Sequence, residues 1–305
     1  MLSSQELLRV KGFADALPTR RLLRMRRDQR HFVRRDTALV GRQLELASLV
    51  GRLEHAVAGS GSVVEVVGDA GIGKSRLIRE VATTAEREGV AVFSTYCASH
   101  AAGMAFQAAA ELLRDMFGIS EVDGDVARQR VRAQLSGANE VDLALVEDLL
   151  GIREPTVAAP VLDPDASRRR ITATISNFAL SRSTPGVYLI EDVHWIDPVS
   201  EAILADLVAD LRQTGALVLV TARPHYRGAL EPPIAADRIV LAPLDAAQSA
   251  VLLTELLGSH PSVAGLAAQI GERAAGSPFF TEELVRDLAE RDLLQGERGA
   301  YTCTG

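Results

Sequence analysis

The sequence predicts an α/β fold in which helices flank a parallel β-sheet and a small all-helical domain follows. Short segments rich in Val, Ile and Leu alternate with segments of helical periodicity, a pattern typical of sheets buried on both faces. After Pro243 the strand signals stop, and only helical patterns continue, to about Leu294. These observations predict an α/β domain over residues 37–244 and a helical lid domain over residues 245–295.

The first predicted element of the α/β domain is an amphipathic helix whose apolar residues run from Leu46 to Val57, with Gly59 ending it. A second helix, from Lys74 to Glu88, has Gly89 as its stop. Five apolar segments are predicted strands of one parallel sheet: 62–67, 90–96, 187–190, 217–221 and 238–241.

Two further segments connect or follow these elements. Residues 151–165 contain three prolines and no periodicity, so we expect an exposed loop within the α/β domain. Asp245 and Gln248 have the spacing of a capping box, which predicts the start of the first lid helix.

Composition excludes several classes of protein. Hydrophobic residues make up 47% of the 305 residues, which excludes a disordered chain. No apolar run is long enough to cross a membrane, no secretory signal follows Met1, and Cys97 and Cys303 lack any metal-binding spacing. We therefore expect a cytoplasmic protein without membrane contacts.

Charge is distributed unevenly along the chain. The formal net charge is −7, but residues 1–36 carry +6 and the remainder carries −13. Eight arginines lie between Thr19 and Asp36, and we interpret this segment as a linker; a basic arm that binds nucleic acid or lipid is the alternative. Binding of nucleic acid by the acidic body is not expected, because neutralising phosphates requires clustered Lys and Arg.

A glycine-rich motif lies between the first strand and the second helix. Residues 68–75 read GDAGIGKS and match GxxxxGK[ST] in the strand-to-helix context of a P-loop. Its backbone N–H groups form an anion-binding nest at a helix N-terminus. Lys74, one of two lysines in the chain, is expected to bridge the β- and γ-phosphates of ATP, and Ser75 to bind Mg²⁺. The nucleotide-binding candidates here are Gly68, Asp69, Ala70, Gly71, Ile72, Gly73, Lys74, Ser75 and Arg76.

Charged residues follow two other predicted strands. Glu191 and Asp192 come directly after residues 187–190, the layout of a Walker B element. We expect Glu191 to hold Mg²⁺, mainly through water, and Asp192 to orient or deprotonate the attacking water. Arg223 follows residues 217–221 at the edge where open α/β sheets bind ligands, so it is expected to reach the γ-phosphate and sense its loss.

His194 and Trp195 follow the acidic pair. They suggest either a catalytic histidine or an aromatic platform that stacks on a base. Packing of the loop after the strand is the interpretation we favour for both.

Five motifs in order resemble the STAND class of AAA-related ATPases. They are LVGRQLEL at 39–46, GDAGIGKS at 68–75, LIEDVHWID at 189–197, TAR at 221–223 and AAGSPFFTEEL at 274–284. The sequence is most similar to the ATPase modules of bacterial LuxR-type transcription regulators and of proteins in which the module follows a class III adenylate cyclase domain. The resemblance covers about residues 37–295.

This resemblance implies an ATP/ADP site with Mg²⁺, and contacts on the adenine side from Val40, Gly41 and Arg42 and from Gly276, Ser277 and Pro278. One departure concerns hydrolysis. Many P-loop ATPases have Asp then Glu in Walker B, whereas this chain has Glu191 then Asp192, and the shorter second acid lies further from the γ-phosphate. We therefore expect slow turnover.

Both ends of the chain carry shorter resemblances. Leu8 to Leu23 resembles the final strand region of class III cyclase domains, but cyclase chemistry is not expected from so short a segment. Residues 293–305 resemble the start of a winged-helix segment that stops early. We assign residues 296–305 to this segment. We expect the chain to be part of a longer protein, with a fused output domain or a protein partner.

These features predict an ATP-binding signalling switch with slow Mg²⁺-dependent ATPase activity, the regulatory module of a signal-transduction or transcription regulator. Two alternatives remain: an ATP-dependent DNA-binding protein of the replication-initiator type, and a nucleotide-binding remnant without hydrolysis.

Overall fold

The structure, a computed structural model, describes residues 6–8, 17–19, 39–99, 105–122, 124–154, 156, 160, 162–182, 184–232 and 237–303. The chain forms two compact units, residues 1–38 and residues 39–305. In the first unit β1 (Glu6–Leu8) pairs antiparallel with β2 (Leu17–Thr19). Residues 9–16 and 20–38, which hold most of the cyclase-like region and the Arg-rich segment, lie outside the described residues.

The second unit contains a parallel sheet, flanking helices and a C-terminal helical part. Its strands in the sheet are β3 (Ser62–Val67), β4 (Ala91–Tyr96), β5 (Gly186–Glu191), β6 (Ala216–Ala222) and β7 (Arg238–Val240). The helices on the sheet are α1 (Gln43–Val57), α2 (Lys74–Arg87), α3 (Gln107–Met116), α4 (Gly124–Gln134), α5 (Glu140–Leu149), α6 (Pro164–Ser181) and α7 (Pro198–Leu211).

The strand order across the sheet is β4-β5-β6-β3-β7, and every neighbouring pair is parallel. The predicted α/β fold and all five of its strands are confirmed. Every residue of β5 and β6 is buried, which explains why these strands read as continuous apolar runs rather than as alternating ones. Because the strands are parallel, the segments that follow β3, β5 and β6 meet at one edge of the sheet.

Helices cover both faces of the sheet. On one face α1 and α2 pack their apolar residues, including Leu53 and Leu77, against Val64 and Val66 of β3. On the other face α3 to α7 form a larger core that includes Val63 and Ile190. Burying a leucine such as Leu77 completely contributes about 1.5–3 kcal/mol to folding, so α2 is anchored firmly behind the loop that precedes it.

The C-terminal part consists of α8 (Ala246–Leu257), α9 (Ala264–Ala274), α10 (Pro278–Glu290) and a hairpin of β8 (Leu294–Gln295) and β9 (Thr302–Cys303). The predicted capping box of Asp245 and Gln248 is present at the start of α8. The hairpin packs on these helices: the N–H of Tyr301 donates to the carbonyl of Leu257 over 2.9 Å. Tyr301 and Cys303 of this hairpin therefore pack against the apolar core of α8 to α10.

The predicted loop over 151–165 is too long at its C-terminal end. Helix α6 begins at Pro164, and the Asp163 carboxylate accepts a 3.1 Å hydrogen bond from the N–H of Ala166. Asp followed by Pro is a common N-cap and first-turn pair, so the third proline opens a helix instead of extending the loop. Among the helices in the described parts of the chain, none has both the length and the apolar character to cross a bilayer.

Candidate functional site

The loop from Gly68 to Gly73 joins β3 to α2, and its glycines shape it. Gly71 has φ +76° and Gly73 has φ +103°, in the left-handed region that a β-carbon disfavours. Gly68 is needed for another reason, since a β-carbon there would lie 2.7 Å from Cγ2 of Ile72. The space beside Gly73 is open, with no atom within 4 Å of a β-carbon built there. The N-terminus of α2 thus has free space at its positive end, which fits a phosphate.

Lys74, the first residue of α2, is buried at this edge. Its Nζ donates to the carbonyl oxygens of Gly68 over 2.8 Å and Asp69 over 3.0 Å, which leaves one of its three N–H donors for a ligand. Burial lowers the pKa of Lys74; the Asp192 carboxylate opposes this shift and the Arg223 charge adds to it. An anion at this position would therefore stabilise the ammonium.

Ser75 and Glu191, the two predicted Mg²⁺ ligands, lie together. The Ser75 hydroxyl donates a hydrogen bond to the Glu191 carboxylate, which ends β5 and is nine-tenths or more buried. Burial raises the pKa of Glu191, while Ser75 and the Arg79 charge lower it. Glu191 Oε2 is buried without a hydrogen-bond partner in the described part of the chain. A hydroxyl beside an unsatisfied carboxylate oxygen fits a hard divalent cation such as Mg²⁺.

Asp192 follows directly and is held by the ends of the two strands beside β5. Its φ and ψ of +56° and +44° are left-handed, and its N–H donates to Thr221 Oγ1 over 2.8 Å. Tyr96, at the end of β4, donates its hydroxyl hydrogen to the Asp192 carboxylate. Tyr96 therefore orients the carboxylate and Thr221 holds the backbone of Asp192. The carboxylate lies close enough to Lys74 to affect its pKa.

Arg223 and the aromatic residues complete this edge. The Arg223 guanidinium lies over the Trp195 ring, 5.6 Å from its centroid. His194 is packed behind Trp195, with ring centroids 5.2 Å apart, and its side chain is only 4% exposed. Burial lowers the pKa of His194 to about 4, so the ring is neutral at pH 7. Its burial agrees with the packing interpretation, although neither ring nitrogen has a hydrogen-bond partner among the described residues.

Val40, Gly41 and Arg42 lie where the sheet meets the helical part. Val40 packs on the core of α8 to α10, and the Gln248 side chain contacts Gly41, whose φ is +70°. The Arg42 guanidinium is buried and donates to the carbonyls of Ala242 over 2.5 Å and Ile72 over 3.4 Å. Arg42 therefore ties the glycine-rich loop to the segment that leads into α8.

Gly276, Ser277 and Pro278 form the turn into α10 and contact the same loop. The carbonyl of Gly71 accepts hydrogen bonds from the N–H of Phe279 over 3.2 Å and from the Ser277 hydroxyl over 3.4 Å. Pro278 is the first residue of α10, and Gly276 accepts from the N–H of Leu244 over 2.9 Å. We call this set of backbone contacts, from Gly71 to Phe279 and from Leu244 to Gly276, the lid contact.

The remaining candidates of the glycine-rich loop are placed as follows. Asp69 and Ala70 are exposed at the tip of the loop, and Ile72 is buried beneath it. Arg76 lies one residue beyond Ser75 on α2 and pairs with Glu80 over 2.8 Å. The structure thus collects Lys74, Ser75, Glu191, Asp192 and Arg223 at one edge, and Val40 to Arg42 with Gly276 to Pro278 at the junction with the helices.

Sequence reasoning missed several residues that support the site. Tyr96 is the last residue of β4 and Thr221 the last but one of β6, at the edge that carries Asp192, so their position in these strands could have identified them. Arg79 stands one helical turn beyond Ser75, close enough to Glu191 to affect its pKa. No sequence signal identifies Gly71 as an acceptor for α10, because the contact is made by backbone atoms distant in sequence.

Two family descriptions match this chain. The AAA ATPase domain family matches residues 38–220, and a domain of unknown function (DUF8739) matches residues 245–301. An uncharacterised protein of Rhizobium meliloti (strain 1021) is 29% identical over 282 residues, covering 85% of this chain and 26% of the relative. The chain thus spans about a quarter of the length of this curated relative.

Solved structures also resemble the chain. The Aeropyrum pernix ORC1 protein in complex with DNA has a TM-score of 0.47 and 21% identity, with 86% of this chain and 63% of that chain covered. A chain of the HORMA:CdnC:Trip13 complex of E. coli MS115-1 has a TM-score of 0.45 and 14% identity, with 84% and 82% covered.

Proposed function

Because this chain belongs to the AAA ATPase domain family, we propose that it is an ATP-binding switch of the STAND class that hydrolyses ATP slowly. In this proposal it regulates a signalling or transcription-regulating protein through an output domain or a protein partner. Nucleotide lies between the α/β domain and the helical lid, with its phosphates at the glycine-rich loop and its adenine toward Val40, Gly41, Arg42 and Pro278.

In this proposal, different residues at the sheet edge bind the phosphates, hold Mg²⁺ and orient the attacking water. The loop amides and Lys74 bind the β- and γ-phosphates, and Ser75 and Glu191 hold Mg²⁺. When bound, Mg²⁺ neutralises phosphate charge. Asp192, held by Tyr96 and Thr221, accepts a hydrogen bond from the attacking water and orients it.

The observation that carries the switch is the lid contact. The carbonyl of Gly71, in the middle of the phosphate-binding loop, is hydrogen-bonded to the first turn of α10. Any change in this loop on binding a γ-phosphate therefore acts directly on the lid. ATP and ADP can favour different arrangements only if they make different contacts, and Arg223 supplies such a difference at the γ-phosphate.

Limited proteolysis tests this proposal. ATP and ADP should give different cleavage patterns near residues 242–245, where Arg42 and Gly276 hold the chain between the domains. Arg223→Ala should make the two cleavage patterns the same. Lys74→Ala should remove the effect of both nucleotides on cleavage. Identical digestion of the wild-type protein with ATP and with ADP would contradict the switch.

A further inference from the structure

Arg223, at the phosphate edge, is held differently from Arg42, at the junction with the helices. Arg42 donates to two backbone carbonyls and is fixed in place. Within the described part of the chain, no hydrogen bond or ion pair holds the Arg223 side chain, whose contact is with the face of Trp195 at 5.6 Å. This distance lies near the outer limit of a cation–π interaction, so the contact is weak. Arg223 is thus a cation free to move at the phosphate edge.

Trp195, in contrast, is held at its backbone, and its ring packs against His194. The N–H of Trp195 donates to the carbonyl of Asp192 over 2.9 Å in a single 3₁₀ turn, Val193–Trp195. The buried His194 ring packs against the indole, which is 37% exposed. Trp195 thus has a backbone hydrogen bond and a ring contact on its His194 side, whereas the Arg223 side chain has neither among the described residues, so Arg223 is the less constrained of the two.

Electrostatics favours such a movement when an anion arrives. The Arg223 charge lies close enough to Lys74 and His194 to lower the pKa of each. The Lys74 and Arg223 cations repel each other, the Asp192 carboxylate opposes the resulting fall in the pKa of Lys74, and a γ-phosphate would attract both cations. The Trp195 face is a weak partner that such a phosphate can outcompete.

We propose that Trp195 is a positioning residue that holds Arg223 when no γ-phosphate is bound, and that a γ-phosphate must draw Arg223 away from it. This inference rests on the proposed function. Trp195 therefore lowers the affinity for ATP and leaves the affinity for ADP unchanged. Trp195 and the nucleotide compete for the Arg223 guanidinium only when a γ-phosphate is present.

Calorimetry of a Trp195 variant gives the first test. Removing the platform in Trp195→Leu should tighten ATP binding about two- to fivefold and leave ADP binding unchanged, since the lost contact opposed only ATP. The ATP affinity of Trp195→Phe, which keeps an aromatic face, should lie between those of the wild-type protein and Trp195→Leu. Weaker ATP binding in Trp195→Leu, or an equal change for ATP and ADP, would overturn the proposal.

The wild-type protein allows a second test, which does not depend on whether Trp195→Leu folds. Trp195 is the single tryptophan of the chain, so selectively excited emission reports on this ring alone. ATP should raise the quenching of its emission by acrylamide, and ADP should leave it at the value of the free protein. In Arg223→Ala quenching should be high without nucleotide and equal with ATP and ADP.

The outcomes separate this inference from the function on which it rests. If calorimetry shows no ATP binding by the wild-type protein, both fail. If ATP binds but quenching is the same with ATP and ADP, or if the difference persists in Arg223→Ala, the role of Trp195 is wrong and the ATP-binding function stands.

Discussion

The phosphate edge and the lid contact both act on the glycine-rich loop, but they are built from different atoms. At the phosphate edge, charged and hydroxyl side chains converge: Lys74, Ser75, Glu191 and Asp192. In the lid contact, the partners are mostly backbone groups, such as the carbonyl of Gly71 and the N–H of Phe279. Chemistry is thus placed in side chains, and communication between domains is placed in the backbone.

The two regions also differ in how strongly a ligand can act on them. Burial lowers the pKa of Lys74 and raises that of Glu191, so each group is shifted toward its neutral form. Each therefore gains from a ligand of opposite charge. A backbone hydrogen bond of the lid contact contributes only about 0.5–1.5 kcal/mol net, so a ligand can break it.

The largest expected effect is on ATP turnover, and it would show that the phosphate edge carries the chemistry. Asp192→Asn should lower the ATPase rate by at least about 10²-fold while leaving ATP affinity intact, because the lost carboxylate acts on water. Steady-state turnover and calorimetry measure the two quantities. Glu191→Gln is the matched comparison, and it should weaken Mg²⁺-dependent binding instead. Equal turnover in wild type and Asp192→Asn would support a nucleotide-binding protein without hydrolysis.

Lys74→Ala should weaken ATP binding about 10- to 150-fold, the value of one charge-assisted hydrogen bond to phosphate. Calorimetry checks this value. Lys11→Ala, which removes the other lysine of the chain, is the control and should leave the affinity unchanged. Unchanged binding in Lys74→Ala would remove the phosphate site from this loop.

A glycine substitution tests the backbone side of the comparison. Gly276 has φ +77°, and a β-carbon there would lie 2.4 Å from the carbonyl oxygen of Leu244, so Gly276→Ala should lower the free energy of unfolding by about 1–3 kcal/mol. Gly265→Ala in α9 is the control: its β-carbon meets open space and should be neutral or slightly stabilising. Denaturant unfolding measures both, and equal stability of the two variants would contradict the close approach of Gly276 to Leu244.

The smallest effect concerns His194. Its pKa is lowered by burial from 6.5 to about 4, so between these values the unfolded chain binds more protons than the folded one. Stability from this group is complete above pH 6.5 and is lost as pH falls toward 4. His194→Phe should reduce the fall in unfolding free energy over this range, whereas substitution of the exposed His55 should not. An identical pH dependence in His194→Phe would assign the acid loss of stability to other groups.

Most of the fold could be predicted because its signals are local. The continuous apolar runs of β5 and β6 and the helical spacing in α2 follow directly from burial on both faces or on one face. The start of α6 is the exception: the prolines predict a loop through Pro164, whereas Pro164 follows the N-cap Asp163 and opens the helix.

The site could be predicted only where side-chain chemistry shows in a motif. Lys74, Ser75 and Glu191 converge as their positions after parallel strands require. The hydrogen bonds from Tyr96 to the Asp192 carboxylate and from the Asp192 N–H to Thr221 depend on strand order, which no local pattern reveals. The bond from Phe279 to Gly71 joins backbone atoms of two distant segments, so residue types carry no record of it.

Amide hydrogen exchange at Phe279 tests most directly whether nucleotide acts on the lid through the glycine-rich loop. The N–H of Phe279 donates to the carbonyl of Gly71, so its exchange rate reports the lid contact itself. We predict that the exchange rate at the start of α10 differs between ADP and ATP, that the difference is smaller in Arg223→Ala, and that the core helix α7 shows no difference. Equal exchange at Phe279 with ATP and ADP, with both nucleotides bound, would contradict the coupling of the site to the lid.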